Sequence, residues 1–306
     1  MKILNHTKDI VEHDFGATIG NFDGVHLGHV AMLEQVREKC KSQNLKFVVI
    51  TFFPHPAQIL RAMRGFLVSG YEERRSLLKS LGVDYLIEIP FTRDFSATTA
   101  TQFVEQYVQN VDRMKLLCLG YDFAFGAHKS GDYSTFDEML KNSEIELVAL
   151  KEFCGDKSEH ISSSVIRELI RKGNVERISS FLGRHFSLKG KVVKGKGRGK
   201  GIGYPTANLQ IAEELIAPST GVYATKAVLR GKTYQSVTNI GFNPTFNDSL
   251  HMTIETHIFS SIDDFYDEEM TVIFLGKIRE EKRFSGVDEL KAQIAKDSEV
   301  AKAWSC

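Results

Sequence analysis

Cysteine is scarce in this chain, and it has neither long apolar runs nor an excess of charge of one sign. Its four cysteines lie far apart and form no C-x-x-C pair: Cys40, Cys118, Cys154 and Cys306. This spacing argues against a disulfide framework or a zinc site. Lys plus Arg and Asp plus Glu number 39 each, so the formal net charge is zero. The chain therefore has no global attraction for nucleic acid or an acidic membrane, and any anion site must be local.

Apolar runs such as FVVI (47–50) are far too short to span a bilayer. The first ten residues, MKILNHTKDI, lack the apolar core of a signal peptide. These features predict a soluble cytoplasmic protein without a nucleic-acid or membrane partner. The length of 306 residues suits two domains of ordinary size.

Strand-like and helix-like segments alternate in the first half of the chain. The run KFVVITFF (46–53) reads as a buried strand, and apolar positions in 27–40 recur at spacings of three and four, which predicts a helix. This alternation predicts a doubly wound α/β domain, with a parallel sheet covered by helices. Residues 162–183 then predict two short helices divided at Gly173.

The pattern changes after Gly183 to short strands bounded by turn residues, which predicts an antiparallel β-barrel. Residues 285–304 have the periodicity of an amphipathic helix that closes the chain. We therefore predict an α/β domain over 1–183 and a β-barrel domain with a terminal helix over 184–306.

The stretch GNFDGVHLGHV (20–30) follows a predicted strand and enters a predicted helix. Ligands of parallel sheets bind at the carboxyl ends of strands, and a helix N-terminus attracts phosphate. Gly24 would let a phosphate approach the backbone closely. His26 and His29 would share one helix face and could stabilise charge on a phosphoryl group. A glycine turn with two surface histidines is the alternative.

Two further loops follow strands at the same predicted edge. One is TFFPHP (51–56), in which His55 stands between prolines; the other is GYDFAFG (120–126), which carries Asp122 and Phe123. Each could contact a ligand. A solvated loop histidine and a plain turn are the alternatives.

Ser163, Ser164 and Arg167 lie at the predicted start of a helix, in the stretch ISSSVIRELIRKG. Hydroxyl groups and a guanidinium together can hold a polyphosphate. Ordinary helix capping by the serines explains the same residues, so both interpretations remain open.

Six basic residues and no acidic ones lie between Lys189 and Lys200, interleaved with glycines. The tract could be a flexible hairpin, a nucleic-acid contact or a lid over nucleotide phosphates. No Walker loop is present, and aromatic residues are missing from the tract. Thr206 and Asn208 follow in an extended segment and would point the same way. Their oxygens suit Mg²⁺ and its phosphates, which favours the lid.

Alternation in HMTIETHIF (251–259) places Glu255 on one face of a predicted strand. Its carboxylate could face solvent without a role, or could act as a general base that accepts a proton from a hydroxyl. Arg279, further on, could be a surface charge or could hold an anion.

These stretches, in this order, resemble the bifunctional riboflavin kinase/FAD synthetase family of bacteria over nearly the whole chain, from Gly20 to Asp297. The resemblance implies an N-terminal nucleotidylyltransferase domain and a C-terminal riboflavin kinase barrel. It implies catalytic roles for His26, His29 and Glu255, Mg²⁺ ligation by Thr206 and Asn208, and flavin contacts by His55, Phe123 and Arg279. The ATP-binding residues that it implies are Gly20, Phe22, Asp23, Gly24, Asp122, Ser163, Ser164, Arg167, Gly195, Gly197, Gly199 and Lys200.

The implied function is phosphorylation of riboflavin to FMN by ATP, followed by adenylylation of FMN to FAD by a second ATP with release of pyrophosphate. Mg²⁺ is the implied cofactor. The expected partners are the small molecules riboflavin, FMN and ATP, and the expected state is a monomer or weak homo-oligomer. Two alternatives stay open: an enzyme that retains only one of the two activities, and a regulator that binds flavin or nucleic acid through its basic tract.

Overall fold

The computed structural model describes residues 1–120, 123–127, 130–151, 160–195, 201, 203–244, 250–260 and 265–304. The chain divides into two compact units. The first consists of residues 1–64 and 71–162, and the second of residues 65–70 and 163–306. The domain boundary after residue 183 stays a prediction.

The first unit is a parallel sheet with helices. Its strands are β1 (Lys2–Leu4), β2 (Phe15–Ile19), β3 (Lys46–Phe53), β4 (Tyr85–Pro90), β5 (Met114–Leu119) and β6 (Glu146–Ala149). Its α-helices are α1 (Leu27–Ser42), α2 (Pro56–Arg61), α3 (Tyr71–Ser80), α4 (Ala100–Val104) and α5 (Tyr133–Leu140). A π-helical turn continues α4 over Glu105–Gln109, and 3₁₀ turns cover Thr7–Asp9 and Phe95–Ala97.

The strand order β1-β4-β3-β2-β5-β6 places β2 at the centre, and every neighbouring pair is parallel. The chain moves from β2 outward through β3 and β4 and then returns to the other side of β2 with β5. The carboxyl ends of β2 and β5 therefore flank the point where strand order reverses, which is the ligand-binding crevice of doubly wound sheets.

Apolar side chains pack on both faces of this sheet. Phe15, Ala17 and Ile19 of β2 belong to one buried cluster, and Leu33 and Cys40 of α1 belong to a second cluster. The predicted α/β class is confirmed, including the helix that begins at residue 27 and the buried strand at 46–53. Strand β1 was not predicted, because its three residues are too few to show periodicity.

The second unit contains α6 (Ser163–Lys172) and α7 (Val175–Leu182), which confirms two helices divided at Gly173. Six antiparallel strands form a closed barrel in the order β10-β11-β8-β7-β12-β9. The remaining bounds are β7 (Ser187–Val193), β8 (Ala207–Ile211), β9 (Gly221–Leu229), β10 (Lys232–Pro244), β11 (Leu250–Ile258), β12 (Glu269–Arg279) and α8 (Val287–Ala303).

Four buried hydroxyl groups join β9, β10 and β11. The Thr225 hydroxyl is 2.8 Å from that of Ser236 and 2.9 Å from that of Thr238. The Thr238 hydroxyl lies 2.9 Å from that of Thr256. Because each hydroxyl has a partner, their burial costs little. Since side chains alternate along a strand, burial of Thr256 turns its neighbour Glu255 to the opposite face of β11.

Candidate active sites

The turn of residues 20–26 joins β2 to α1 at the carboxyl edge of the sheet. Three of its residues have positive φ: Phe22 at 51°, Gly24 at 78° and Val25 at 40°. Such angles are uncommon outside glycine and recur at functional sites. The Phe22 side chain is completely buried, so only its backbone is available to ATP. A Cβ atom on Gly20 would lie 2.9 Å from the Phe22 ring, which explains the glycine there.

His26 caps the N-terminus of α1. Its Nδ1 accepts a hydrogen bond from the backbone N–H of His29 at 3.2 Å, so the neutral ring carries its proton on Nε2. The two imidazole rings stack with centroids 3.6 Å apart and planes 15° from parallel. His26 is buried, so the alternative of a surface histidine is wrong for this residue. The turn therefore presents the two rings as one rigid pair.

His29 has a buried ring nitrogen without a partner. Among the residues that the structure describes, its Nδ1 makes no hydrogen bond. Burial, with a smaller contribution from His26, lowers the pKa of His29 well below its usual 6.5, so the ring is neutral at pH 7. A buried polar atom without a partner costs about 1–3 kcal/mol, and such atoms are rare in native structures.

The predicted ligand residues after β3 and β5 reach the same edge as the histidine pair. His55 is buried and caps α2, with its Nδ1 accepting from the Ala57 N–H at 3.1 Å; the solvated-loop alternative is therefore wrong. Phe123 stacks on Phe125 with ring centroids 5.4 Å apart. Asp23, in the turn after β2, is also buried. Asp122 lies outside the described residues.

Ser163 and Ser164 lie in the first turn of α6, in the second unit. Arg167 follows and is buried; its Nε donates to the Phe66 carbonyl at 2.9 Å, and its guanidinium carbon lies 3.7 Å from the centre of the Phe66 ring. The serines thus occupy the place where capping and phosphate binding are both feasible. Their phosphate-binding role, with that of Arg167, stays a prediction.

In the barrel, Glu255 of β11 stands directly opposite Asn208 of β8 in the antiparallel register. Directly opposed residues have Cβ atoms about 4.5–5.5 Å apart on one face of the sheet. Thr206 precedes β8 and is half-buried. The Nδ1 atom of His257 lies 2.8 Å from the Pro205 carbonyl oxygen; because a carbonyl only accepts, Nδ1 is the donor. This bond ties the segment that carries Thr206 to β11.

Gly195 lies against the side chain of Asn208. A Cβ atom at position 195 would be 2.1 Å from Asn208 Nδ2, closer than any real contact. A side chain at position 195 would therefore displace the Asn208 amide. The predicted lid residues Gly197, Gly199 and Lys200 lie outside the described residues.

Sequence reasoning missed Asn239, which the register of β10 places directly opposite Glu255 on its other side. Asn208, Glu255 and Asn239 thus form a row across three adjacent strands. No local signal identifies this partner, because residue pairing across a barrel depends on register and not on spacing in the chain.

Arg279, predicted to bind flavin, is held by the terminal helix. Its Nε donates to both carboxylate oxygens of Asp297 at 3.1 Å, and its Nη2 donates to one of them at 2.8 Å. Its Nη1 donates to the Glu280 carbonyl at 2.9 Å. The flavin role of Arg279 stays a prediction.

The donor set of the barrel row suits Mg²⁺. Hydroxyl, amide and carboxylate oxygens are hard ligands, and Mg²⁺ on a nucleotide takes only one or two from the protein. Across the described ranges, no group of three or more His, Cys, Asp or Glu side chains could hold a metal.

Within the part of the chain that the structure describes, no helix combines the length and the apolar character that a membrane crossing requires.

Comparison with known proteins finds two family models along the chain. The FAD synthetase model matches residues 9–165, and the riboflavin kinase model matches residues 182–305. Proteins named bifunctional riboflavin kinase/FMN adenylyltransferase are similar over nearly the full length. The protein of Escherichia coli K12 is 35% identical over 93% of this chain and 91% of its own. That of Bacillus subtilis is 32% identical over 97% and 96%.

One solved structure superposes along the whole chain. A crystal structure titled as a macrolide-efflux protein from Streptococcus pneumoniae covers 99% of both chains with a TM-score of 0.87 and 30% identity. The arrangement of a parallel-sheet unit followed by a barrel is therefore shared with an experimentally determined fold.

Proposed function

The chain belongs to the family of bifunctional riboflavin kinase/FMN adenylyltransferases, and we propose that its two reactions are divided between residues 1–183 and residues 184–306. The protein phosphorylates riboflavin to FMN and adenylylates FMN to FAD, with ATP as donor in both steps. The assignment of individual residues rests on the geometry of the two candidate sites.

The kinase reaction is assigned to the row of polar residues on the barrel. The terminal hydroxyl of riboflavin attacks the γ-phosphorus of ATP, ADP leaves, and the Glu255 carboxylate accepts the hydroxyl proton. Thr206 and Asn208 would hold Mg²⁺, which neutralises phosphate charge when bound. Asn208 and Asn239 flank the carboxylate and keep it on the outer face of β11. The opposition of Glu255 and Asn208 is the observation that carries this assignment.

Adenylyl transfer is assigned to the stacked histidines. A phosphate oxygen of FMN attacks the α-phosphorus of ATP, the bond to the β-phosphate oxygen breaks, and pyrophosphate leaves. The nucleophile is already an anion, so no strong base is needed. His26 donates from Nε2, and the neutral His29 ring can donate from whichever nitrogen carries its proton, so both rings can stabilise the charge that develops on the phosphates.

The two reactions can be separated in a single experiment. Purified protein is incubated with riboflavin and MgATP, and riboflavin, FMN and FAD are separated over time. FMN should appear first and FAD second. The variant His26→Asn should accumulate FMN and lose FAD, since Asn retains a capping acceptor for α1. FAD formation at the parent rate by this variant would refute the assignment of the histidines.

Several narrower properties are proposed from sequence alone. We infer a cytoplasmic, monomeric or weakly associating enzyme that uses Mg²⁺ and has no nucleic-acid partner. The same proposal includes binding of ATP by the predicted ATP-binding residues. It also includes binding of flavin by His55, Phe123 and Arg279. The alternative is a regulator that binds flavin or nucleic acid without catalysis. A salt-sensitive shift of nucleic acid in a gel, together with the absence of ATP turnover, would support that alternative.

A further inference from the structure

A completely buried arginine lies behind the turn that carries the histidines. Arg74 of α3 is only 2% exposed, so it cannot reach a substrate itself. Its Nη1 donates to the backbone carbonyl of Asn21 at 3.2 Å, and its Nη2 donates to Glu88 Oε1 at 3.1 Å. One guanidinium thus joins the turn to β4.

Stability alone does not account for an arginine at this position. Glu88 is already paired by Arg75, whose Nε and Nη2 reach its two oxygens at 3.1 and 2.6 Å. The Nε atom of Arg74 is buried and, within the described part of the chain, has no hydrogen-bond partner. Burial also lowers the pKa of Arg74 below its usual value, despite Glu88. Apolar residues commonly replace such buried ions without loss of stability.

Arg74 makes one hydrogen bond to the histidine turn that Arg75 does not make, to the Asn21 carbonyl. Asn21 immediately precedes Phe22, the first residue of positive φ in the turn. The Thr51 hydroxyl at the end of β3 donates to the same carbonyl at 3.3 Å. Backbone in this region of φ persists only where surrounding contacts hold it. Two buried donors on one carbonyl are such contacts.

We propose that Arg74 is a positioning residue for adenylyl transfer, which acts by holding the Asn21 carbonyl and, through it, the turn that presents His26 and ATP-binding backbone atoms. Thr51 supplies the second donor in this role. The inference rests on the assignment of the histidine turn to FAD formation made above. A misplacement of catalytic groups by about 1 Å can cost up to a hundredfold in rate.

The test compares Arg74→Lys with Arg75→Lys in the full-length protein. Lysine keeps the charge of either arginine but cannot replace the fork that joins Asn21 and Glu88. Arg74→Lys should lower kcat for FAD formation from FMN about tenfold, with KM for FMN changed less than about twofold. FMN formation from riboflavin, which is assigned to the barrel, should not change. Arg75→Lys should leave both reactions within about twofold of the parent.

The variant Thr51→Val provides an independent measurement if Arg74→Lys does not fold. This variant removes the Thr51 hydroxyl, the second donor to the Asn21 carbonyl, at nearly constant side-chain volume. It should also lower kcat for FAD formation from FMN. Equal effects of Arg74→Lys and Arg75→Lys, or an unchanged kcat in Thr51→Val, would overturn the inference. If His26→Asn loses FAD formation while Arg74→Lys keeps it, the histidine assignment stands and only the positioning role fails. If His26→Asn retains FAD formation, the assignment itself fails.

Discussion

Glu255 and Asn208 face each other across the β11–β8 pairing, with Asn239 opposite Glu255 on β10. The carboxylate that we propose as the base of the kinase reaction is therefore fixed by two interstrand registers rather than by a loop. Sites on strands hold their side chains more rigidly than sites on loops, and this rigidity makes single substitutions in the row informative.

Glu255→Gln should lower FMN formation by at least about a hundredfold, because the amide cannot accept the hydroxyl proton. FAD should still form from added FMN, since that reaction is assigned to the other unit. HPLC of flavins from parallel incubations with riboflavin and with FMN measures both. Glu269→Gln, an exposed carboxylate paired with Lys189 on the same barrel, serves as the control and should behave as the parent. FMN formation at the parent rate by Glu255→Gln would show that the base lies elsewhere.

Gly195→Ala should selectively impair the kinase, because the added methyl would overlap the Asn208 amide. We expect about a tenfold loss of kcat/KM for riboflavin phosphorylation and no loss of FMN adenylylation. Gly201→Ala is the matched control, since a Cβ there meets nothing within 4 Å. Steady-state assays of both reactions for each variant provide the measurement. Equal activity of the two variants would mean that Asn208 tolerates displacement.

His29 should titrate well below pH 6.5, and removal of the His26 ring should raise that pKa only in part. Burial is the larger cause and His26 the smaller. NMR titration of the imidazole signals in the parent and in His26→Asn measures both values. A parent pKa at or above 6.5 would contradict the burial of this ring.

The same titration has a consequence for stability. As pH falls below 6.5, the unfolded chain binds a proton at His29 that the folded chain does not, so this residue makes the folded state less stable towards low pH. In His29→Asn that contribution disappears. The loss of unfolding free energy between pH 7 and pH 5.5 should therefore be smaller in the variant than in the parent, as urea denaturation can show.

Asp297→Asn should lower the free energy of unfolding by about 1–3 kcal/mol, because it removes the negative charge and one of the two acceptor oxygens that join α8 to Arg279. Denaturant titration measures the change. Glu299→Gln, in an exposed pair with Lys302, should change it by less than about 0.5 kcal/mol. If Arg279 also binds flavin, Arg279→Lys should raise KM for the flavin by more than Asp297→Asn does.

Much of the architecture followed from local signals. Continuous apolar runs predicted strands of the first half, because parallel strands are buried on both faces. Apolar spacings of three and four predicted the helices, because burial of one helix face imposes that period. The order of the motifs around His26, His55, Ser163 and Glu255 indicated the family, which the full-length relatives support. Glycine positions also predicted the turn after β2, in which Gly24 has φ of 78°, but gave no signal that Phe22 and Val25 adopt positive φ as well.

The sequence by itself thus determined most of the elements, their order and the two reactions that the family catalyses. Only the tertiary structure decided which residues meet: Asn239 beside Glu255, Arg74 behind the histidine turn, and Asp297 on Arg279. The tertiary structure also shows that His26 is buried, whereas the sequence was compatible with a surface position. The reason is physical. Hydrophobic periodicity depends only on residues that are close together in the sequence. Strand register and the partner of a buried polar group depend on segments that are distant in the sequence.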